Sequence, residues 1–444
     1  MAKTTGFQHV LNQKGVVRAN SVGVGQIGQI VLGASDTLDT KVATSSTFTP
    51  LVEANNTHGG RGGSITLGSG NAINPMGLVL YDTVHNKTAV LSANSVGDGG
   101  TINIAATGNI YQRGAISATG GAQATANTAN AGNVSITSGS RIELLSLSNT
   151  LTADAYTNMN AAINVNSLGS GGSVSLTAPR IGVYTPLSAN NTLSRLSGAS
   201  GGNITIRSDS NLWLFSPLSA SSINTTNGRG GTITIYNNST GNVGSTLQLS
   251  NNTWGKASFD TSHTTAQGST SLYARYISLS DSYNSDYGGI NNAVIANSKG
   301  NLVLSGVSEV SQSGTLQRSS GQGTLTLLTS PTGRISILNR GTATRPESII
   351  WNDTINLYTG SGGITIAKPV STTQGRVNAF FNATQLSSVS YLGKSFQFAD
   401  RLLGGVITGG NTSRATVRYQ EYTSGPLGSV RGATGQPLQL WTRI

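Results

Sequence analysis

One short motif returns along this chain of 444 residues, and it limits the possible folds more than any other feature. A glycine leads into an alternation of apolar and small polar residues, as in Gly171-Gly172-Ser173-Val174-Ser175-Leu176. Such alternation predicts a β-strand with one buried and one exposed face, and the glycine before it is typical of a turn with positive φ. Near-copies of the motif begin at Gly62, Gly99, Gly132, Gly201 and Gly230.

The spacing of the motif predicts a repeat architecture. Successive copies are 29 to 40 residues apart, and two further short strands follow each copy, for example Arg180-Ile181-Gly182-Val183 and Pro186-Leu187-Ser188-Ala189-Asn190. No stretch shows helical periodicity. We therefore predict an all-β fold, a right-handed parallel β-helix (β-solenoid) of about ten three-strand coils. One inward column is predicted to contain Ile65, Ile102, Val134, Val174, Ile204 and Ile233.

The two ends of the chain depart from the repeat. We predict an N-terminal cap and opening coil over 1–57, solenoid repeats over 58–375, and a β-rich cap or assembly segment over 376–444. The last marker is Gly362-Gly363-Ile364-Thr365-Ile366, and alternation returns only in stretches such as Ala415-Thr416-Val417-Arg418-Tyr419-Gln420. An open solenoid end exposes unpaired strand edges, so it needs a cap or a partner strand.

Composition narrows the classes of function. The net charge is +11, but Lys and Arg are scattered singly, which does not favour nucleic acid as a partner. Cysteine is absent, which excludes disulfides, Cys-ligated zinc and a thiol nucleophile. The sequence contains no run of about twenty apolar residues, so no transmembrane helix is predicted. The first residues also lack an apolar run of signal-peptide length.

The order Gly-Gly-x-Ile-Thr-Ile, x-Leu-x-Leu, x-Ile/Leu-Ser-Ala resembles the repeats of filamentous-haemagglutinin-like proteins of two-partner secretion. The resemblance is clearest from Gly59 to about Ser250. It implies a bacterial, extracellular and non-enzymatic β-helix that acts in adhesion and surface structure.

Candidates for chemistry are sparse, and we predict no catalytic, cofactor or metal site. The 16 acidic residues recur at no fixed position in the unit, whereas carbohydrate-active β-helices need clustered carboxylates. The best local candidate is Asp281-Ser282-Tyr283-Asn284-Ser285-Asp286-Tyr287, and Asp98 sits in a single copy of a calcium-repeat-like sequence. The four histidines are far apart in sequence: His9, His58, His85 and His263.

Other conspicuous residues have structural interpretations beside the functional ones. Gly228-Arg229-Gly230-Gly231 is a turn rather than a phosphate loop, because no helix follows. Trp213 should point out of the coil and mark an interface, while the tryptophans together leave a sugar-stacking platform open: Trp213, Trp254, Trp351 and Trp441. Three residues that close third strands predict an asparagine ladder: Asn94, Asn190 and Asn297.

These observations predict a structural protein of the cell surface or extracellular space, not an enzyme. We expect it to associate with copies of itself into a filament or sheath through 1–28 and 376–444, by end-to-end contact or strand addition. A cell-surface polysaccharide or a neighbouring surface is a further possible partner. Two alternatives stay open, a monomeric surface adhesin stalk and a carbohydrate-active β-helix of the lyase or tailspike type.

Overall fold

The computed structural model consists of β-strands and connections, with no helix among the residues that it describes. Those residues are 11–12, 16–20, 27–34, 37–39, 51–70, 72–76, 90–112, 115–121, 129–144, 163–193, 198–223, 227–237, 246–249, 251–252, 255–256, 258–263, 266, 268–279, 282–284, 289–291, 294–296, 300–312, 315–317, 323–330, 332–337, 349–359, 363–366, 370–372, 377–381, 388–391, 394–397, 404–409, 415–419, 421–422 and 430–431.

The chain forms two units. Unit 1 comprises 1–236, 253–255 and 259–269, and unit 2 comprises 237–252, 256–258 and 270–444. In unit 1 three strands follow one another in each coil, and each strand pairs in parallel with its equivalents in the neighbouring coils. The result is three parallel stacks, consistent with a β-solenoid.

Stack I holds the glycine-led strands: Gln29–Ala34, Ser64–Ser69, Thr101–Ala106, Asn133–Ser138, Ser173–Ala178, Asn203–Ser208 and Thr232–Asn237. Stack II holds the second strand of each coil: Leu11–Asn12, Thr37–Asp39, Ala72–Met76, Ile110–Gln112, Arg141–Leu144, Arg180–Val183 and Leu212–Leu214. Stack III holds the third: Val16–Arg18, Leu51–Glu53, Val90–Ser92, Ala115–Ser117, Ile163–Asn164, Leu187–Ser188, Pro217–Ser219 and Ser258–Asp260.

The predicted inward column is confirmed in stack I. Ile65 pairs with Ile102, Ile102 with Val134, Val134 with Val174, and Val174 with Ile204, all in register. These side chains and Ile233 are almost wholly buried. The alternation produces this result because successive residues of a strand face opposite sides of the sheet, so one register buries every apolar side chain.

The expected reason for the paired glycines is wrong, although their position at the corner is correct. Positive φ occurs at other glycines, such as Gly59 and Gly198, and not at the described glycine pairs that directly precede strands of stack I, such as Gly171-Gly172 and Gly201-Gly202. A Cβ on Gly202 would instead overlap the carbonyl oxygen of Gly172 in the preceding coil, and one on Gly201 would overlap that of Ala220, which follows the third strand of the same coil. Glycine is required because backbones of adjacent coils meet there with no room for a side chain.

The alternating sequence Gly77-Leu78-Val79-Leu80, which fits the pattern of a second strand, lies outside the described residues. In that coil the strand of stack II is Ala72–Met76. Its pairing with Ile110–Gln112 is irregular, with Ile73 opposite Ile110 but Met76 opposite Gln112. Pro75 lies in the irregular part, and proline cannot donate to the ladder.

Unit 2 is also built of parallel strands in coils, but some strands merge. Asn301–Gln312 pairs through its first half with Leu325–Thr329 and through its second half with Arg334–Ile337. The next coil places Ile355–Thr359 on Leu325–Thr329, and Gly363–Ile366 on Arg334–Ile337. The sequence marker at Gly363 is therefore the second strand of its coil, not the first.

Further strands of unit 2 include a third parallel stack, Val294–Ala296, Thr315–Gln317, Ile349–Trp351 and Val370–Thr372. Thr246–Leu249 pairs in parallel with the second half of Ser269–Leu279. Parallel pairing continues past Gly375, because Val377–Phe381 stacks on Ile355–Thr359 and Ser388–Tyr391 on Gly363–Ile366. The other strands are Asn251–Asn252, Gly255–Lys256, Ser282–Asn284, Gly289–Asn291, Lys394–Gln397, Gly404–Gly409, Ala415–Tyr419, Glu421–Tyr422 and Val430–Arg431.

The strand direction reverses in the C-terminal segment. Gly404–Gly409 pairs antiparallel with Val377–Phe381, and Lys394–Gln397 pairs antiparallel with Ser388–Tyr391. Ala415–Tyr419 then pairs antiparallel with Gly404–Gly409. At the other end of the chain, by contrast, strands within 1–57 pair in parallel with later coils, for example Gln29–Ala34 with Ser64–Ser69.

Candidate interaction surfaces

The histidines and acids singled out from the sequence have structural surroundings. His58 is exposed, and its Nδ1 lies 2.8 Å from the Thr57 hydroxyl; His263 is buried, and its Nδ1 accepts the Ala266 N–H at 3.0 Å. His9 and His85 lie outside the described residues. Among the residues that the structure describes, no three His, Asp or Glu side chains come together as a metal site.

Asp98 links corners of adjacent coils. Its Oδ1 accepts the Asn130 N–H at 2.8 Å, and its backbone carbonyl accepts the Gly62 N–H at 2.7 Å. The side chain thus accepts one backbone donor of the protein. In the candidate stretch from Asp281 to Tyr287 only Ser282–Asn284 is described, as one strand of an antiparallel pair with Gly289–Asn291.

The asparagine ladder exists in unit 1 and is longer than predicted. The Oδ1 of each ladder residue accepts the backbone N–H of the equivalent residue in the following coil, at 2.7 to 2.8 Å. We call this set the corner ladder: Asn20, Asn55, Asn94, Asn166 and Asn190. Asn94 and Asn190 were predicted members, and Asn297 lies outside the described residues.

The tryptophans separate into different environments. Trp351 is wholly buried, and its Nε1 donates to the Gly323 carbonyl at 2.8 Å, so it cannot act as a sugar platform. Trp213 is half-buried between the buried Leu212 and Leu214, which places it on the outer face of stack II as predicted. Trp254 and Trp441 lie outside the described residues.

Trp213 has aromatic neighbours along stack II that the sequence analysis did not single out. Tyr184 and Phe215 stack with ring centroids 5.1 Å apart and planes inclined by 17°. The Tyr184 ring also lies over Gly182, where an added Cβ would approach Cε2 to 2.8 Å. Gly182 is paired in register with Trp213, so the three aromatic residues occupy adjacent positions of two coils.

Charged residues border these rings in the preceding coil. Arg141 and Glu143 form an ion pair, and Arg180 pairs in register with Arg141. Burial raises the pKa of Tyr184, and the nearby Glu143 carboxylate raises it further, whereas Arg141 acts in the opposite direction. The phenol is therefore a neutral hydrogen-bonding group at physiological pH. We call this surface the stack II cluster: Arg141, Glu143, Arg180, Tyr184, Trp213 and Phe215.

A second surface is the edge strand Gln29–Ala34, which we call the Gln29 edge. Among the described strands it pairs on one side only, with Ser64–Ser69. Ile30 and Leu32 are buried, but Val31 is 41% exposed and the adjacent Ile27 is 57% exposed. The outward residue that follows Val31 in register is Thr66, and it is polar in later coils too: Asn103, Ser135, Ser175 and Thr205.

The signal for the stack II cluster was present in the sequence. Arg180, Gly182 and Tyr184 are the outward positions of one alternating strand, but only Trp213 was singled out. The sequence does not show the register between coils. Tyr184 and Phe215 are a full coil apart along the chain, with an insertion between them, so their contact is not visible from the spacing of residues.

Comparison with known proteins identifies no relative: no family model, curated protein or solved structure matches the chain. In the described part of the chain, no helix has the length and apolar character needed to span a membrane.

Proposed function

We propose that this chain is a structural protein of the cell surface or extracellular space that assembles with copies of itself by strand addition. In this proposal its stacks wind as a right-handed solenoid of about ten coils, because parallel β connections are overwhelmingly right-handed. A likeness to the filamentous-haemagglutinin repeats supports the same class of function. The parallel, in-register stacks of each unit supply the stiff framework that such a role requires.

The Gln29 edge carries the proposal. A strand paired on one side presents backbone N–H and C=O groups that can accept another strand. Soluble proteins usually place charged or polar residues on such an edge, but here Val31 and Ile27 face outward. An apolar outward residue at the edge, beside polar residues in the later coils, is suited to burial against a second chain.

The C-terminal segment offers a different kind of edge. Ala415–Tyr419 pairs with Gly404–Gly409, which is its one partner among the described strands. Because strand direction has reversed there, an incoming strand would meet an antiparallel ribbon instead of a parallel coil. We propose that this segment and the Gln29 edge are the two contact regions of the assembly.

The test compares the full chain with a Val31→Lys variant and with a chain ending at Tyr391. Wild-type protein should form filaments or large oligomers in negative-stain images and light scattering. V31K and the shortened chain should remain β-rich by circular dichroism but stay monomeric, since a lysine at an edge opposes strand addition.

The matched control is Thr66→Lys, which places the same charge one coil further from the edge, in register with Val31. It should assemble as the wild type does. A wild-type protein that is monomeric at all concentrations contradicts self-assembly and favours the monomeric adhesin stalk. Filaments that survive V31K contradict the role of the Gln29 edge.

A further inference from the structure

We infer that the stack II cluster binds an acidic polysaccharide, a linear sugar chain carrying carboxylates, with sugar rings on Trp213 and Tyr184 and a carboxylate on Arg180. This surface is separate from the Gln29 edge, so the inference does not rest on self-assembly.

The aromatic rings supply the apolar contact that a sugar ring needs. Trp213 is half-buried on an outward face, and Tyr184 is held in place beside it, with a ring edge over Gly182 and one face stacked on the buried Phe215. A ring fixed in this way loses little conformational entropy when a ligand covers it. Trp and Tyr also combine a large apolar surface with a hydrogen-bonding group, which suits a ligand with apolar faces and polar edges.

Arg180 supplies the charge complementarity. It is exposed, and among the described residues it has no acidic partner, whereas the adjacent Arg141 is paired with Glu143. Two arginines in register repel each other, so an anion beside Arg180 would relieve an unfavourable pair. A guanidinium binds a carboxylate through two parallel hydrogen bonds, which makes a sugar carboxylate a fitting ligand.

Glu143 favours a sugar chain over a nucleic acid. Its carboxylate lies on the same outward face and can accept hydrogen bonds from sugar hydroxyls, but it would repel a phosphate on every residue. One unpaired cation in the cluster also matches a sparsely charged polymer better than a nucleic acid, whose binding rests on several phosphate contacts.

The arrangement follows the direction in which coils stack. Tyr111, Glu143, Gly182 under the Tyr184 ring, and Trp213 are partners in register in four successive coils. At about 4.8 Å per coil they extend over roughly 14 Å, which accommodates several sugar units of an extended chain.

The experiment measures binding of the full chain to a hyaluronan oligosaccharide, which carries a carboxylate on every second sugar, with its methyl ester of the same length as the neutral ligand, by isothermal titration calorimetry. Wild-type protein should bind the acid form at least about tenfold more tightly than the ester, which corresponds to 1.4 kcal/mol. Arg180→Gln should weaken binding of the acid form to about the affinity of the ester, which removes this preference. Trp213→Ala should lower the affinity for both ligands by about tenfold or more.

The control variants lie on the outer face of stack I. Arg207→Gln and Tyr236→Ala remove an arginine and an aromatic ring whose centres lie 5.0 Å apart, and both should bind as the wild type does. Equal affinity of wild-type protein for acid and ester, or equal effects of R180Q and R207Q, overturns the inference. Tighter binding of a single-stranded thymidine oligonucleotide than of the hyaluronan oligosaccharide also overturns it, in favour of nucleic acid. The acid-to-ester comparison on the wild type needs no variant to fold.

Discussion

The corners of unit 1 and unit 2 solve the same packing problem in opposite ways. In unit 1 the residue two positions after the inward residue of the third strand is alanine in most of the described coils, as in Ala220 after Leu218. Its carbonyl accepts the N–H of Gly231 at 2.7 Å, and glycine lets the two backbones meet. In unit 2 the residue in that position, after Ile349, is the wholly buried Trp351.

Side chains replace backbone contact at the unit 2 corner. The Trp351 indole donates to the Gly323 carbonyl at 2.8 Å, and Gly323 itself has a positive φ of 135°. Its N–H is bound by Asp353 Oδ2 at 3.1 Å, and the N–H of Thr324 is bound by Asn301 Oδ1 at 2.9 Å. This corner of unit 2 therefore uses large and polar residues where the corners of unit 1 use the absence of a side chain.

The difference explains why the sequence signal fades beyond residue 300 although the parallel stacks continue. A close backbone corner accepts only glycine at the point of contact, so it leaves a repeated trace in the sequence. A corner filled by side chains has many solutions, so its sequence changes from coil to coil. The repeat of structure is more regular than the repeat of sequence.

The largest expected effect is at the filled corner. Trp351→Ala should destabilise unit 2 by about 4 kcal/mol, because it opens a cavity and leaves the Gly323 carbonyl without its donor. Thermal unfolding and hydrogen exchange of peptides covering 323–329 measure this loss. The control is Trp213→Ala, half-buried on an outer face, which should cost much less. Equal losses from the two substitutions would mean that Trp351 does not hold the corner.

A smaller loss is expected from adding one methyl group at the close corner. Gly202→Ala should destabilise unit 1 by about 3 kcal/mol, because the new Cβ overlaps the backbone of the preceding coil. Gly68→Ala is the matched control, since a Cβ there meets nothing within 4 Å. Denaturant unfolding followed by circular dichroism compares the two. Similar midpoints for both variants would contradict the close-approach explanation of the Gly-Gly motif.

The smallest of these effects should come from the corner ladder. Asn190→Ala removes the acceptor of the Ser221 N–H at 2.7 Å and of the Ser219 hydroxyl at 2.8 Å, which should cost about 1.5 kcal/mol. Asn103→Ala, exposed on the outer face of stack I, is the control and should leave the melting temperature almost unchanged. If the two variants have the same melting temperature, the ladder contributes no stability beyond that of the backbone pairing.

Most strands and inward residues of unit 1 could be predicted from the sequence, because they depend on the local alternation of apolar and polar residues. Alternation places Val174 and Leu176 inward, and identical alternation in every coil leaves one register that buries them all. The sequence did not predict Ile163–Asn164, a two-residue strand that follows a long insertion and supplies Asn166 to the ladder. Such a strand is too short for a periodic signal, and its place is fixed by its neighbours Ala115–Ser117 and Leu187–Ser188.

The surfaces were harder to predict than the core. The inward residues of a coil are constrained by close packing, whereas Tyr184, Phe215 and Gly182 depend on which coils lie side by side. The N-terminal and C-terminal pairing patterns likewise depend on strand direction, which alternation does not encode: Ala415–Tyr419 and Gln29–Ala34 alternate alike, yet one pairs antiparallel and the other in parallel. The assembly role of 376–444 remains a prediction.

The hydrogen bonds of the corner ladder also suggest an order in which the coils form. Each asparagine oxygen, at Asn20, Asn55, Asn94, Asn166 and Asn190, is an acceptor aimed at a backbone donor that lies later in the chain. A finished coil that carries one of these asparagines therefore presents a ready-made acceptor for the coil that follows it, and the series is interrupted where Thr119 takes the place equivalent to Asn166. We expect such a chain to fold sequentially from its amino-terminal coils, with each coil formed before the coil that follows it.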